Sequence, residues 1–161
     1  MVLESIDQSS KNILSASNFQ ELADSPMIIS NNSKSKSIII NGVNFTFCFQ
    51  GEVKVDWDRI FKDFKLFIQY QIQVFGSFPH KKFLFLFQIT PYSSYHGVEH
   101  HKSTVILLGP SYSIFDTFYS ELLGFSSHEL YHVWNVKNIR PKAMLPYNFS
   151  EENYTDMGYV T

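Results

Sequence analysis

Residues 37–49 read S-I-I-I-N-G-V-N-F-T-F-C-F, two runs of apolar and β-branched residues on either side of Asn41-Gly42. Asn-Gly between such runs is the strongest short signal of a β-hairpin, because both residues adopt the positive φ of a two-residue turn at low cost. The stretch therefore predicts two paired strands, at 37–40 and 44–49, at the start of a sheet.

The segment after the hairpin predicts a long amphipathic helix and two further strands. Between 56 and 75 the apolar residues recur at three- and four-residue steps, and Gly76 is a plausible end of that helix. Residues 82–90 (K-F-L-F-L-F-Q-I-T) form a continuous apolar run that is typical of a buried strand, and another strand is predicted at 103–108. This order of elements predicts an α+β fold, in which a mixed or antiparallel sheet packs on helices.

A second helix is predicted from about Phe115 to Val136, since aromatic and leucine side chains step along one face of that segment. Gly124 lies inside it, where glycine costs roughly 1 kcal/mol relative to alanine. We therefore expect another group to pack closely against Gly124.

Composition and charge exclude several classes of protein. The formal net charge is −2 and the sequence contains no basic stripe, which argues against a nucleic-acid partner. The longest apolar run, 83–87, is too short to cross a bilayer, and the N-terminus has no apolar signal-peptide core. As it stands, the chain is expected to be soluble, cytoplasmic and without a membrane partner. A single cysteine, Cys48, excludes an internal disulfide framework. The oligomeric state stays open.

The predicted second helix carries the motif His128-Glu129-Leu130-Tyr131-His132. Four-residue spacing places both imidazoles on one helix face, where two neutral rings can bind one Zn²⁺. Glu129 can then take a proton from a zinc-bound water and pass it to the leaving amine of a peptide. Chance produces such a motif roughly once in 100 chains of this composition. We therefore predict a zinc site formed by His128 and His132, with Glu129 as the general base.

The sequence around this motif resembles one family of enzymes. Residues 127–141 (S-H-E-L-Y-H-V-W-N-V-K-N-I-R-P) are similar to the signature of the glycyl aminopeptidase family of PDZ-associated zinc metallopeptidases, which are of the gluzincin type. Residues 95–103 resemble its Gly-Gly-Leu-Glu-His-x-x-Ser segment, and 22–26 resemble its Leu-x-Asp-Ser-Pro segment. The similarity extends over roughly residues 19 to 161.

The resemblance implies a fold, a substrate and roles for residues. Residues 37–161 would form the N-terminal half of a thermolysin-like metallopeptidase catalytic domain, preceded by a lead-in at 1–36 with little regular structure. Glu99 would bind the free α-amine of a peptide substrate, with Gly97 and Val98 beside it in the same segment. His96 replaces the first glycine of that segment, so the loop is expected to approach the substrate less closely.

The third zinc ligand is not identified. The resemblance implies that a glutamate would follow directly after Thr161, and it is absent here. Glu121, Glu151 and Glu152 are possible substitutes, although Glu121 lies about two helical turns from His128. Two readings therefore stay open beside each other: part of a metallo-aminopeptidase, or a truncated or degenerate relative that binds zinc weakly and is not catalytic. A third and weaker one is a binding module whose motif is accidental.

The remaining histidines are weaker candidates. The histidines His96, His100 and His101 cluster around Glu99 and would form either a second metal site or, more commonly, a polar loop. His80 follows Pro79 and is expected to be exposed to solvent.

Overall fold

The structure is a computed structural model that describes residues 7–10, 13–142, 145–146, 148 and 150–152. Its centre is a five-stranded mixed sheet with the strand order β3-β4-β5-β7-β6. The strands are β3 (Ser33–Ile40), β4 (Val43–Gln50), β5 (Lys82–Ile89), β6 (Ser94–Glu99) and β7 (Ser103–Gly109). Helices α2 (Trp57–Phe75) and α3 (Tyr119–Tyr131) pack against it. This architecture confirms the predicted α+β fold.

The hairpin of β3 and β4 turns at the predicted dipeptide. Asn41 has a φ of 50° and Gly42 a φ of 79°, as the turn requires. The antiparallel register runs from Ile40 opposite Val43 to Ser33 opposite Gln50, so β3 begins four residues before the predicted strand. The strands β4, β5 and β7 are parallel neighbours, which places β5 at the centre of the sheet.

Helix α2 covers the predicted range and buries one face. The Asp56 side chain accepts a hydrogen bond from the backbone N–H of Arg59 and caps its N-terminus. Gly76, with a φ of 84°, follows its last turn. The buried face of the helix consists of Ile60, Phe64, Ile68 and Ile72.

The core between α2 and the sheet is built largely from phenylalanine. Phe47 and Phe85 stack with ring centroids 5.2 Å apart, and the ring of Phe64 meets both of them edge-on. All three side chains are fully buried. Such edge-to-face contacts add to the energy of apolar burial, and the packed layer holds α2 and the sheet in one position.

Three local predictions differ from the structure. The segment 94–99, interpreted as a polar loop, is an edge strand, because it pairs antiparallel with β7. Helix α3 is shorter than predicted, since a 3-10 turn (Ser111–Ser113) and further turns precede Tyr119, and the chain leaves the helix after Tyr131. The prediction of a close contact at Gly124 is wrong, because a Cβ there would have no atom of another described element within 4 Å.

The first part of the chain holds short elements of its own. The strands β1 (Asp7–Ser10) and β2 (Ile13–Ser15) form a separate two-stranded sheet, and α1 (Phe19–Ala23) is a short helix. The division of the chain at residue 36 remains a prediction. In the part of the chain that the structure describes, none of the helices combines the length and apolar character needed to cross a membrane.

Candidate metal centre

The predicted metal ligands lie at the end of α3: His128 is in its last turn and His132 directly follows it. Gln71 on α2 donates its side-chain N–H to the carbonyl and the hydroxyl of Ser127, both at 2.9 Å, and so joins the two helices directly before His128. His128 is exposed, whereas His132 is only 7% exposed. One ligand therefore faces solvent and the other faces the protein.

The two imidazoles are arranged as a chelating pair. Nε2 of His128 and Nε2 of His132 lie 3.1 Å apart, with the ring planes perpendicular. Two nitrogens bound to one tetrahedral zinc at 2.0–2.1 Å would be about 3.3 Å apart. The spacing therefore fits a shared zinc ion with little adjustment of either ring.

The Nδ1 atom of His132 orients its ring. It lies 3.2 Å from the carbonyl oxygen of Asn135, which can only accept, so Nδ1 carries the proton and Nε2 keeps its lone pair. Burial lowers the pKa of His132, although this hydrogen bond and the charge of Glu99 act in the opposite direction. The neutral ring is the form that binds a metal.

Glu129 lies on the protein side of the two histidines and is 4% exposed. Its Oε2 atom is buried and has no hydrogen-bond partner among the described residues. Burial and the nearby charge of Glu99 raise the pKa of Glu129 to about 7, although the hydroxyl of Thr104 acts against this. A carboxyl group with a pKa near neutrality can both accept and release a proton at physiological pH.

The edge strand β6 lies opposite α3 and brings the predicted substrate residues to the same place. Gly97 contacts the helix most closely, because a Cβ there would collide with the Glu129 carboxylate and would lie 2.7 Å from Cζ of Phe125. Glu99 has a side chain that is 33% exposed. Since side chains alternate along a strand, the side chain of Val98 points to the opposite face from these two.

The turn after α3 brings Lys137 close to Asp24, and the sequence analysis assigned no role to either of these charged residues. Lys137 N donates to the carbonyl of His132 at 3.2 Å, and Val136 before it has a φ of 87°. The ammonium of Lys137 lies 3.6 Å from Oδ1 of Asp24 and 3.8 Å from Oε1 of Glu99. Lys137 and Asp24 both belong to segments that resemble the family, and only the fold shows that they lie close together.

The other candidates do not complete a metal site. Among the described residues there is no group of three His, Cys, Asp or Glu side chains able to hold a metal, so Glu121, Glu151 and Glu152 supply no third ligand here. The same finding leaves the proposed second site at His96, His100 and His101 without support within those residues. Nδ1 of His100 instead lies 2.9 Å from Asp24.

The expectation for His80 is wrong. The ring is half-buried, it meets His101 with centroids 4.5 Å apart, and its Nε2 has no hydrogen-bond partner among the described residues. Burial, together with the charges of His101 and Lys102, lowers the pKa of His80 to about 4. The preceding Pro79 could not indicate that His80 is covered, because the covering groups come from the turn after β6.

Comparison with known proteins agrees with this geometry. The sequence model of the M61 glycyl aminopeptidase family matches residues 121–161, which include His128, Glu129 and His132. Among solved structures the chain is similar to the crystal structure of an aminopeptidase N family protein from Idiomarina loihiensis, with 27% identity and a TM-score of 0.80. That match covers 93% of this chain and 27% of the other, so the chain spans about a quarter of that protein. No curated protein matches the chain.

The α+β fold, shared with that aminopeptidase N family protein over 93% of this chain, matches a peptidase domain. The family model covers residues 121–161, so the chain is similar to the M61 glycyl aminopeptidase family over the last quarter of its length. The resemblance stated from the sequence motifs is thereby confirmed.

Proposed function

We propose that this chain carries the zinc-binding and proton-transfer residues of a metallo-aminopeptidase that hydrolyses the peptide bond next to a free amino terminus. The observation that carries the proposal is the pair of Nε2 atoms 3.1 Å apart beside the unpartnered Oε2 of Glu129. In this proposal His128 and His132 hold the metal, Glu129 is the base, and Glu99 receives the substrate's ammonium group.

Each residue has a separate task in this scheme. A bound zinc ion would supply Lewis-acid chemistry that polarises water and the peptide carbonyl. Glu129 accepts a proton at its carboxylate and later releases it to the leaving amine. Glu99 pairs with the α-ammonium group, while Gly97 leaves the space through which Glu129 reaches the cleft. Val98 contributes backbone on the edge strand, where an extended peptide can add to the sheet.

A second candidate is a relative that binds zinc weakly and is not catalytic. It is favoured by the finding that the described residues supply two ligands and no third, whereas a catalytic zinc site has three protein ligands and one open position. The two candidates differ in metal affinity and in activity, and both are measurable.

The test combines zinc content with peptide hydrolysis. Purified chain is dialysed against zinc, and the metal is measured in the wild type and in His128→Ala, His132→Ala and Glu129→Gln. We expect about one zinc per chain in the wild type and in Glu129→Gln, and loss of metal in both histidine variants. The same proteins are assayed with glycyl and alanyl peptide amides, for which Glu129→Gln should reduce hydrolysis by at least about 100-fold.

The outcomes separate the candidates. The same measurements are made on any longer in-frame product of the source gene. If both proteins bind zinc and neither hydrolyses the peptides, the non-catalytic relative is favoured. Hydrolysis that is unchanged in Glu129→Gln would remove Glu129 from the role of base. If neither the wild-type chain nor the longer product retains zinc, both zinc-based candidates are contradicted.

A further inference from the structure

The carboxylates of Asp24 and Glu99 share a single ammonium group. Lys137 Nζ lies 3.6 Å from Asp24 and 3.8 Å from Glu99, which is within ion-pair range of both but too far for a hydrogen bond to either. The three side chains are 18–33% exposed, so their charges interact more strongly than they would on an open surface. Together the two acids and one base carry one excess negative charge.

Asp24 is the more firmly held of the two acids. Its Oδ1 lies 2.9 Å from Nδ1 of His100, and its Oδ2 accepts a hydrogen bond of 2.8 Å from the backbone N–H of His101. Burial acts to raise the pKa of Asp24, but these hydrogen bonds and the charge of Lys137 outweigh it, and the pKa is lowered overall. Asp24 is therefore a fixed anion. The Glu99 carboxylate, in contrast, lies beyond hydrogen-bond distance of Lys137, at 3.8 Å, and its side chain is 33% exposed.

Three other basic groups lie near this trio: His100, which contacts Asp24, Arg140, which lines the same pocket as Asp24 and Lys137, and Lys102. Lys102 is paired with its own carboxylate, Glu21, at 2.9 Å.

We propose that Asp24 is a positioning residue for substrate selection: it neutralises Lys137, and the Glu99 carboxylate keeps an unbalanced charge that selects peptides with a free amino terminus. Without Asp24, Lys137 would pair with Glu99 alone and cancel the charge that an incoming ammonium group needs. The inference rests on the proposed role of Glu99 and assigns the control of that role to a residue from the helix α1 segment.

The test measures binding, independently of catalysis. The zinc-loaded chain is titrated with glycylglycinamide and with N-acetyl-glycylglycinamide. The free-amine preference is the dissociation constant of the acetylated ligand divided by that of the ligand with a free amine. We expect Asp24→Asn to lower that ratio by about tenfold, since one charge is lost close to the ligand. Lys137→Met should raise it, because the competing ammonium is gone. The double variant Asp24→Asn/Lys137→Met restores the excess charge and should return to within about threefold of the wild type.

Rescue distinguishes charge balance from structural support. If Asp24 only held the turn at His100 and His101, removing Lys137 would not restore its hydrogen bonds, and the double variant would stay as weak as Asp24→Asn. That result would overturn the inference. If Asp24→Asn does not fold, Lys137→Met provides the test. A lower free-amine preference in Lys137→Met than in the wild type would also overturn the inference.

Failure of the proposed function is recognised separately. A wild-type chain that binds both ligands equally, with no effect of Glu99→Gln, would overturn the role of Glu99 and this inference with it. A preference that Glu99→Gln abolishes and Asp24→Asn leaves unchanged would overturn only the role of Asp24.

Discussion

Gly97 illustrates how a single residue shapes the candidate site. Its position on β6 faces α3, and a side chain of any size would overlap the Glu129 carboxylate and the Phe125 ring. The nearby Tyr95 and Phe125 rings stack 4.5 Å apart, which leaves little room for the helix to move away. Glycine at this position therefore allows the buried general-base candidate to lie directly against the edge strand.

Gly97→Ala and Gly124→Ala form a matched pair of substitutions. Gly97→Ala should destabilise the fold by about 2 kcal/mol through overpacking. Gly124→Ala places a Cβ in open space within α3 and should stabilise the fold by about 1 kcal/mol, since alanine is the better helix former. Urea unfolding of both variants beside the wild type measures the two effects. Equal stabilities for the two variants would show that the contact at Gly97 is unimportant.

At the scale of elements, the turn that follows α3 decides where the charged residues lie. The Trp134 indole stacks on Phe75 at 4.6 Å and donates to the carbonyl of Ser77 at 2.9 Å, so the turn is anchored to the end of α2. Val136 adopts a φ of 87°, a left-handed conformation that is unfavourable for a β-branched residue. The chain leaves the helix there and carries Lys137 back to Glu99. The strain at Val136 is compensated by the surrounding contacts.

Val136→Gly should relieve this strain. The stabilisation from removing this strain outweighs the cost of the greater unfolded-state entropy of glycine. We therefore expect the Tm to rise by about 2–4 °C, equivalent to roughly 1 kcal/mol of unfolding free energy. Val136→Ala keeps a Cβ and should gain clearly less. Thermal unfolding followed by circular dichroism measures both variants, and a lower Tm for Val136→Gly than for the wild type would contradict the interpretation of strain.

For the molecule as a whole, acid stability should depend on His80. Burial holds the pKa of His80 at about 4 in the folded state, below the value of 6.5 expected when the chain is unfolded. The unfolded state therefore binds the proton more readily below pH 6.5. The stability is fully present above that pH and is lost as the pH falls towards about 4. The expected loss between pH 7 and pH 4.5 is about 2 kcal/mol for this group.

His80→Gln tests this contribution, because it removes the titrating ring and keeps a polar side chain. The difference in unfolding free energy between pH 7 and pH 4.5 should shrink by about 2 kcal/mol in this variant. His96→Gln, at an exposed position, is the control and should leave the difference unchanged. The idea fails if the two variants show the same pH dependence as the wild type.

Local patterns were sufficient for most of the fold. The Asn41-Gly42 turn, the apolar stripe of α2 and the run at 82–90 each correspond to an observed element, because turn geometry and side-chain periodicity are properties of neighbouring residues. Strand β6 was missed, since Y-H-G-V-E has no apolar alternation and is stabilised by pairing with β7. The ends of α3 were misjudged because tertiary contacts, such as the anchoring of Trp134, end the helix early.

The sequence by itself determined the pair of histidines and the glutamate between them, because their relation depends only on the pitch of one helix. It also carried the resemblance to the glycyl aminopeptidase family, because several motifs occur in the order typical of that family. Only the tertiary structure decided that Asp24, Glu99 and Lys137 meet, that Gly97 contacts Glu129, and that His80 is covered. These residues are far apart along the chain, and their charges and contacts arise only when the sheet edge, the two long helices and the turn pack together.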